Sequence, residues 1–315
     1  MKIVISEYVH DDAVALLRDH HDVRYDANLF SDTDALKDAL ADAHAWIVRN
    51  QTRVTGNEHA PNLAVVGRVG VGLDNLDLDA LRERDIVVTW APGTNAVSVA
   101  EYVIGAMLSV TRRFDAISQD VHAGVWNRQA AMGGELYGQT LGIVGLGDIG
   151  TRLAKRAAAF GMNVIASDPA VHPSSFGVQE YGVALVPLTD LLAQSDMISL
   201  HTPLLPSTRH LIDNKTLAQM KPTALLINTA RGGLIDETAL AAALRDHRLG
   251  GAVLDVREQE PPGDADPLRD FANVILTPHI AGVTHESNRR ASLHIAHDVL
   301  RVLNGDKPVS AVPLR

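Results

Sequence analysis

The run Thr140-Leu141-Gly142-Ile143-Val144-Gly145-Leu146-Gly147-Asp148-Ile149-Gly150 decides the fold. It begins as a short apolar strand, turns through G-x-G-x-x-G, and passes into a helical pattern from Thr151 to Phe160. Gly145 permits the tight turn, Gly147 lets the backbone approach a pyrophosphate, and Gly150 allows close helix–strand packing. Asp148 and Ile149 lie in the turn leading into that helix, whose N-terminal N–H groups and partial positive charge favour phosphate. The next strand, Asn163–Ala166, leads into Ser167-Asp168, and Asp168 follows Gly150 by 18 residues, close to the spacing of a ribose-binding acid. A carboxylate there bonds a ribose 2′-hydroxyl and repels a 2′-phosphate. No arginine follows in Pro169-Ala170-Val171, so the expected cofactor is NAD rather than NADP. Gly70-Val71-Gly72 also follows a strand but lacks the third glycine and the long helix.

Outward from this turn, short apolar runs alternate with amphipathic stretches along the whole chain. Strands are expected at Lys2–Ser6, Ala45–Val48, Leu63–Val66, Ile86–Thr89, Thr140–Val144, Asn163–Ala166, Met197–Leu200, Ala224–Ile227 and Gly251–Leu254. Most are apolar on both faces, as buried parallel strands are. Helical patterns lie between them at Asp12–Asp19, at Ser31–Ala41 with Ser31 and Asp34 as a capping box, and at Asp236–Arg245. The alternation predicts α/β architecture with two doubly wound parallel sheets. Two longer helical patterns, Ser98–Thr111 and Thr284–Leu303, bracket the central block, the second ending at Asn304-Gly305 as a C-cap. They place one domain in residues 98–283 and the other in 1–97 joined with 284–315.

The 315 residues are 46% hydrophobic and 21% charged, which suits two globular domains, and the net charge of −10 gives no electrostatic footprint for nucleic acid or an anionic membrane. An anionic substrate would need a local basic pocket. There are no cysteines, so disulfides, thiolate metal sites and cysteine nucleophiles are excluded. No apolar run approaches the ~20 residues of a membrane span. The first residues read as a strand rather than a signal peptide, so a cytoplasmic location is expected. His285-Glu286 lacks the second histidine of a zinc-protease helix, and neither a G-x-S-x-G elbow nor a Walker lysine is present. No metal is expected.

A dehydrogenase acting on a 2-oxo acid needs a cation for the carboxylate and an acid for the carbonyl oxygen. Three segments downstream of the glycine turn offer them. In Ile227-Asn228-Thr229-Ala230-Arg231-Gly232-Gly233 an arginine follows a buried strand, where ligands of such sheets collect. Leu254-Asp255-Val256-Arg257-Glu258-Gln259-Glu260-Pro261-Pro262 is an acidic loop after another strand, and Leu276-Thr277-Pro278-His279-Ile280-Ala281-Gly282 puts a histidine after an apolar run. Histidine is the natural proton donor near neutrality, and an adjacent carboxylate favours its protonated form. Taken singly, each segment is equally readable as surface charge, solvated loop or incidental histidine.

The three segments resemble the three signatures of the D-isomer-specific 2-hydroxyacid dehydrogenase family, which includes phosphoglycerate dehydrogenase and hydroxypyruvate reductase. Arg-Val-Gly-Val-Gly-Leu-Asp-Asn at 68–75, Glu-Leu-Tyr-Gly-Gln-Thr-Leu-Gly at 135–142 and His-Thr-Pro-Leu-Leu-Pro-Ser-Thr at 201–208 match family patterns as well, so the likeness covers nearly the whole chain. The resemblance implies a Rossmann nucleotide domain inserted in a flavodoxin-like substrate domain. It implies Arg231 as binder of substrate carboxylate and carbonyl, His279 as general acid/base and Glu260, rather than Glu258, as its partner. It also implies cofactor contacts at Thr202, Pro203, Thr229, Ala230, Arg231, Asp255, His279 and Gly282. Gly70, Val71 and Gly72 resemble the loop whose N–H groups hold the substrate carboxylate, and Arg49-Asn50 the loop that reaches the substrate's distal end.

Within the family, Val71 replaces a threonine of some phosphoglycerate-specific members. The chain ends at Arg315, so the regulatory C-terminal domains of longer phosphoglycerate dehydrogenases, and their feedback control, are not expected. The implied reaction is hydride exchange between NAD and a small anionic D-2-hydroxy or 2-oxo acid, of hydroxypyruvate/glyoxylate, 3-phosphoglycerate or sulfolactate type, in a homodimer. Arg49, Arg53 and Arg128 are candidates for a second anionic group. Two other readings share the scaffold: an NAD-sensing co-repressor-like binding protein, and a formate or phosphite dehydrogenase relative.

Overall fold

The computed structural model describes residues 1–313. The chain divides into two compact units, one formed by Met1–Asn95 with the segment from Val283 onward, the other by Ala96–Gly282.

The first unit contains β1 (Lys2–Ile5), α1 (Asp11–Arg18), β2 (Asp22–Tyr25), α2 (Thr33–Leu40), β3 (Ala45–Val48), β4 (Val65–Arg68), α3 (Leu78–Glu83) and β5 (Val87–Thr89). Its sheet runs β2-β1-β3-β4-β5 with every pair parallel. Alternation along a strand sends Ile3 and Ile5 to one face and Val4 to the other. The first face is covered by α1 and by the helix that ends the chain, through Leu17, Ile295 and Val299; the second packs against Leu40, Trp46 and Leu81. Gly67 in β4 faces that terminal helix, and a Cβ there would lie 2.6 Å from Ile295 Cγ2, so glycine sets the approach of helix to sheet.

The second unit contains α4 (Ala96–Arg112), α5 (Phe114–His122), β6 (Thr140–Val144), α6 (Asp148–Ala159), β7 (Asn163–Ser167), α7 (Phe176–Glu180), β8 (Ala184–Leu185), α8 (Leu188–Gln194), β9 (Met197–Leu200), α9 (Asn214–Leu217), β10 (Leu225–Asn228), α10 (Glu237–Arg245), β11 (Gly251–Leu254) and β12 (Val274–Leu276). The sheet order is β12-β11-β10-β9-β6-β7-β8, all parallel. The order reverses between β6 and β9, which makes the end of β6 a topological switch point. Leu141, Ile143, Leu153 and Met107 fill one face, and Ile198, Leu226, Leu240 and Leu244 the other. The chain then returns to the first unit through α11 (His285–Leu303), opened by a reciprocal Thr284–Ser287 capping box and followed by Gly305 at φ +83°.

Two expectations are corrected. The Ser31/Asp34 box does not form, because Ser31 lies in a 3₁₀ turn and its hydroxyl donates to Asn28 O. Asp32, in extended backbone, caps α2 by accepting from Ala35 N at 3.0 Å. The strand expected at Leu63–Val66 lies two residues later, its register set by pairing of Ala45 with Val65 and Val48 with Arg68. Strands β2, β8 and β12 had no counterpart among the expected strands; all three lie towards sheet edges and are half exposed.

Candidate active site

The carboxyl ends of β6, β9, β10, β11 and β12 stand side by side in the second unit. They carry, in that order, the glycine turn, Thr202-Pro203, Arg231, Asp255 and His279. Residues dispersed over more than 130 positions of sequence therefore share one sheet edge.

At the glycine turn, Gly145 has φ +92°, and a Cβ there would press on the His201–Thr202 backbone at 2.8–2.9 Å. A Cβ on Gly150 would collide with Gly145 O, whereas one on Gly147 would meet nothing. Two glycines thus serve packing, and the third leaves open space in front of the α6 N-terminus, which no side chain caps. Asp148 pairs with Arg152 at 3.1 Å, and Ile149 follows it in the first turn. Asp168, just past β7, accepts from Leu146 N and Ala170 N, both at 2.8 Å, tying the turn to the neighbouring strand.

At the end of β9, the His201 ring is buried and bonded through Nε2 to Ser199 Oγ at 2.9 Å. Its Nδ1 is buried without a partner among the described residues, and burial pushes the pKa down to about 4. Asn228 ends β10 completely buried, and its amide brackets the next turn, accepting from Ala230 N and donating to Arg231 O. This fixes the backbone of Arg231, whose side chain is half-buried. Thr229 Oγ1 is buried and has no hydrogen-bond partner among the described residues.

His279 Nδ1 lies 2.8 Å from Glu260 Oε2. The second oxygen of Glu260 accepts from Arg257 N at 2.9 Å. Glu258 faces Arg209 and His210 instead, both at 2.9 Å. Arg257 anchors this acidic loop: it is 8% exposed, binds Asp266 through both terminal nitrogens at 2.7 Å and reaches Glu237 at 2.8 Å, and these partners raise its pKa. Asp255 is 1% exposed; its carboxylate accepts from Thr277 Oγ1 at 2.6 Å and from Ile280 N and Ala281 N at 2.7 Å. His279 itself has φ +58°, and its N–H donates to Asp255 O at 2.8 Å. Gly282 closes this segment and the unit. His279 and Glu260 line a cavity of about 400 Å³ together with Pro262, Leu276 and Thr277.

Apart from Arg128, the other expected residues lie in the first unit, also towards carboxyl ends of strands. Glu7, just past β1 and 2% exposed, accepts from Arg49 N, Gln51 N and Thr52 N at 2.7–3.0 Å. Asn75 donates to Arg49 O and Thr52 O, so the loop is held through both its N–H and its C=O groups. The Arg49 guanidinium donates to Asn288 Oδ1 at 3.0 Å and lies 5.7 Å from the Tyr8 ring centre; burial lowers its pKa. Asn50 and Arg53 are exposed, as is Arg128 in the second unit. After β4, Gly70 has φ +142° and abuts the Arg68 side chain, and Val71 and Gly72 are half-buried.

Glu7, Asn75, Asn228, Tyr8 and Asn288 were not singled out from sequence. Glu7 and Asn228 did carry a signal, as polar residues directly after apolar strands. The open space at Gly147, the uncapped α6 N-terminus and the unpartnered Thr229 hydroxyl together fit a dinucleotide with its phosphates at the glycine turn.

Known proteins resemble the chain in sequence and in fold. Residues 104–281 match the family model of the D-isomer specific 2-hydroxyacid dehydrogenase, NAD binding domain. The chain is 50% identical over 303 residues to an (S)-sulfolactate dehydrogenase of Chromohalobacter salexigens, covering 96% of this chain and 98% of that one. It is 41% identical to a D-3-phosphoglycerate dehydrogenase of Methanocaldococcus jannaschii over 97% of this chain, and spans 58% of that enzyme's length. A protein of known structure from Thermus thermophilus superposes with a TM-score of 0.90 at 34% identity, covering 99% of this chain and all of that one. With an NAD-binding domain and a second parallel α/β unit, the chain belongs to the D-isomer-specific 2-hydroxyacid dehydrogenases and is an oxidoreductase.

Proposed function

We propose that this oxidoreductase interconverts sulfopyruvate and sulfolactate, with NAD as cofactor. The reaction reading is carried by the His279–Glu260 hydrogen bond on the same sheet edge as Arg231 and the glycine turn. The substrate reading is carried by 50% identity over nearly the full length of a sulfolactate dehydrogenase. The (S) label of that relative's substrate is compatible with D-isomer chemistry. Sulfur on C3 ranks that carbon above the carboxylate, so a D-like arrangement takes the (S) descriptor.

The middle unit, residues 98–283, is assigned to the nucleotide, and residues 1–97 with 284–315 to the substrate. NADH, when bound, supplies the hydride. Arg231 orients the carboxylate and offsets charge developing on the carbonyl oxygen, and His279 gives that oxygen its proton. Glu260 accepts from His279 Nδ1–H, which directs Nε2 towards the substrate and stabilises the imidazolium. Asp168 selects the unphosphorylated ribose; Thr202, Pro203, Thr229, Ala230, Asp255 and Gly282 complete the cofactor contacts. The N–H groups of Gly70, Val71 and Gly72 are assigned to the substrate carboxylate. Arg49 is assigned to the sulfonate, with Asn50 beside it; its guanidinium forms no ion pair among the described residues. A homodimer is proposed on the strength of α5, which buries none of its own residues and leads to an exposed Trp126.

The test is NADH oxidation with sulfopyruvate, hydroxypyruvate, phosphohydroxypyruvate, glyoxylate and pyruvate, with NADPH as control. Sulfopyruvate is expected to exceed pyruvate in kcat/KM by roughly 100-fold, and Arg49→Leu to erase most of that margin, since a buried cation matched to an anion discriminates strongly. Equal turnover of pyruvate would refute the substrate assignment. Tight NADH binding without turnover of any acid would favour the co-repressor-like reading.

A further inference from the structure

We propose that Tyr102 is a positioning residue for this reaction: its hydroxyl, acting through Thr277 and Asp255, holds the turn that presents His279. The inference rests on His279 being the proton donor. Tyr102 lies on α4, far in sequence from every segment of the site, yet its hydroxyl is 2.6 Å from Thr277 Oγ1. Thr277 Oγ1 donates to Asp255 Oδ1 at 2.6 Å. A threonine hydroxyl has one proton, and an ionised carboxylate can only accept, so Tyr102 must be the donor to Thr277. The half-buried phenol keeps that proton, since burial raises its pKa.

At the far end of the chain, Asp255 receives Ile280 N and Ala281 N. These are the two residues after His279, whose φ of +58° is a conformation that a non-glycine residue keeps only under restraint. Asp255 makes no ion pair among the described residues, so its buried charge is balanced by N–H and O–H donors alone. Donors in such a series polarise one another, and the Tyr102 hydroxyl supplies the outermost. Glu260 sets the orientation of the imidazole ring, and the Tyr102–Thr277–Asp255 series sets the backbone beneath it. Tyr102 touches neither substrate nor cofactor in this scheme.

Tyr102→Phe, Thr277→Val, the double variant and Thr277→Ser test it in the full chain. Steady-state kcat, NADH affinity from fluorescence and hydrogen exchange of peptides spanning 277–283 are the readouts. Tyr102→Phe and Thr277→Val are each expected to lower kcat about fivefold to tenfold, because small misplacement of a catalytic group is costly. NADH affinity should stay within about twofold, and the double variant should lose no more than Thr277→Val, because one series is broken at two points. Thr277→Ser should regain the loss. Exchange of the Ile280 and Ala281 amides should accelerate roughly tenfold in Tyr102→Phe, with no change elsewhere. An unchanged kcat in Tyr102→Phe, additive losses in the double variant, or NADH affinity falling in step with kcat would overturn the proposal. If the wild-type chain reduces no 2-oxo acid, the reaction reading fails, and exchange alone decides: acceleration confined to 277–283 upholds the series, and none refutes it.

Discussion

His279 combines a carboxylate at 2.8 Å with a left-handed backbone, as His210 does with Glu258 at 2.9 Å, but of the two it is His279 that lines the cavity with its carboxylate partner. That backbone costs about 1–2 kcal/mol for a residue other than glycine, and contacts to Asp255 offset it. His279→Gln is expected to reduce kcat by a factor of roughly 10² to 10⁴ with little change in NADH affinity, as loss of a general acid does. Equal losses in both, measured by steady-state kinetics and fluorescence titration, would count against that role. His201 makes a different prediction. Its pKa of about 4 in the fold lies below the ordinary value of 6.5, so the unfolded chain binds the proton more readily. The contribution of His201 to stability is therefore lost progressively as pH falls below the unfolded value, and that loss is complete below the folded one. Between pH 7 and pH 5 this amounts to something on the order of 2 kcal/mol, from the linkage of proton binding to folding. Denaturant titration at the two pH values should show it, and His201→Asn should flatten the difference. Sequence gave the residue types at these positions but not their surroundings. Glu258 and Glu260 are separated by one residue in the same loop; residue type does not distinguish them, the family resemblance pointed to Glu260, and the folded loop turns Glu258 to Arg209 and His210 and Glu260 to His279.

The β6–α6 element was legible in advance because it is local: strand, turn and helix follow one another, and glycine spacing is dictated by backbone sterics. Gly150→Ala tests that element. The added methyl would collide with Gly145 O, a backbone atom that cannot rotate away, so α6 must shift from β6. NADH affinity is expected to fall by about tenfold or more, with a loss of about 1–3 kcal/mol in unfolding free energy, the ordinary cost of overpacking. Gly147→Ala meets open space in the free protein, so its stability should be unchanged while NADH affinity still falls; calorimetry and fluorescence titration separate the two effects. Edge elements were less legible. The β2 strand, Asp-Val-Arg-Tyr, is polar and half-exposed, and β8 has two residues, so neither shows a buried strand's apolar run. The displaced start of α2 has the same origin: Ser31 and Asp32 are both good caps, and the 3₁₀ turn before them decides which is extended.

At the scale of the molecule, a face that the monomer leaves uncovered makes the remaining prediction. Helix α5 has no buried residue, and Phe114, Val121, Val125, Trp126, Met132 and Tyr137 are all exposed within one short stretch. Sedimentation should show a dimer, and Trp126→Arg should shift it towards monomer, with a concentration-dependent melting temperature in the wild type; a monomer at micromolar concentration would refute self-association. Sequence by itself determined the class of both sheets, the dinucleotide turn and the chemical types available for catalysis. These follow from apolar periodicity, glycine sterics and the order of motifs, all of which act between residues near one another in the chain. The tertiary structure alone decided which charges face which. The Glu7 carboxylate that seats the Arg49 loop and the Tyr102 hydroxyl that reaches Thr277 both join segments distant in sequence. Their partners are chosen by strand order and by the need of buried polar groups for hydrogen bonds, and neither is written in any one stretch of residues.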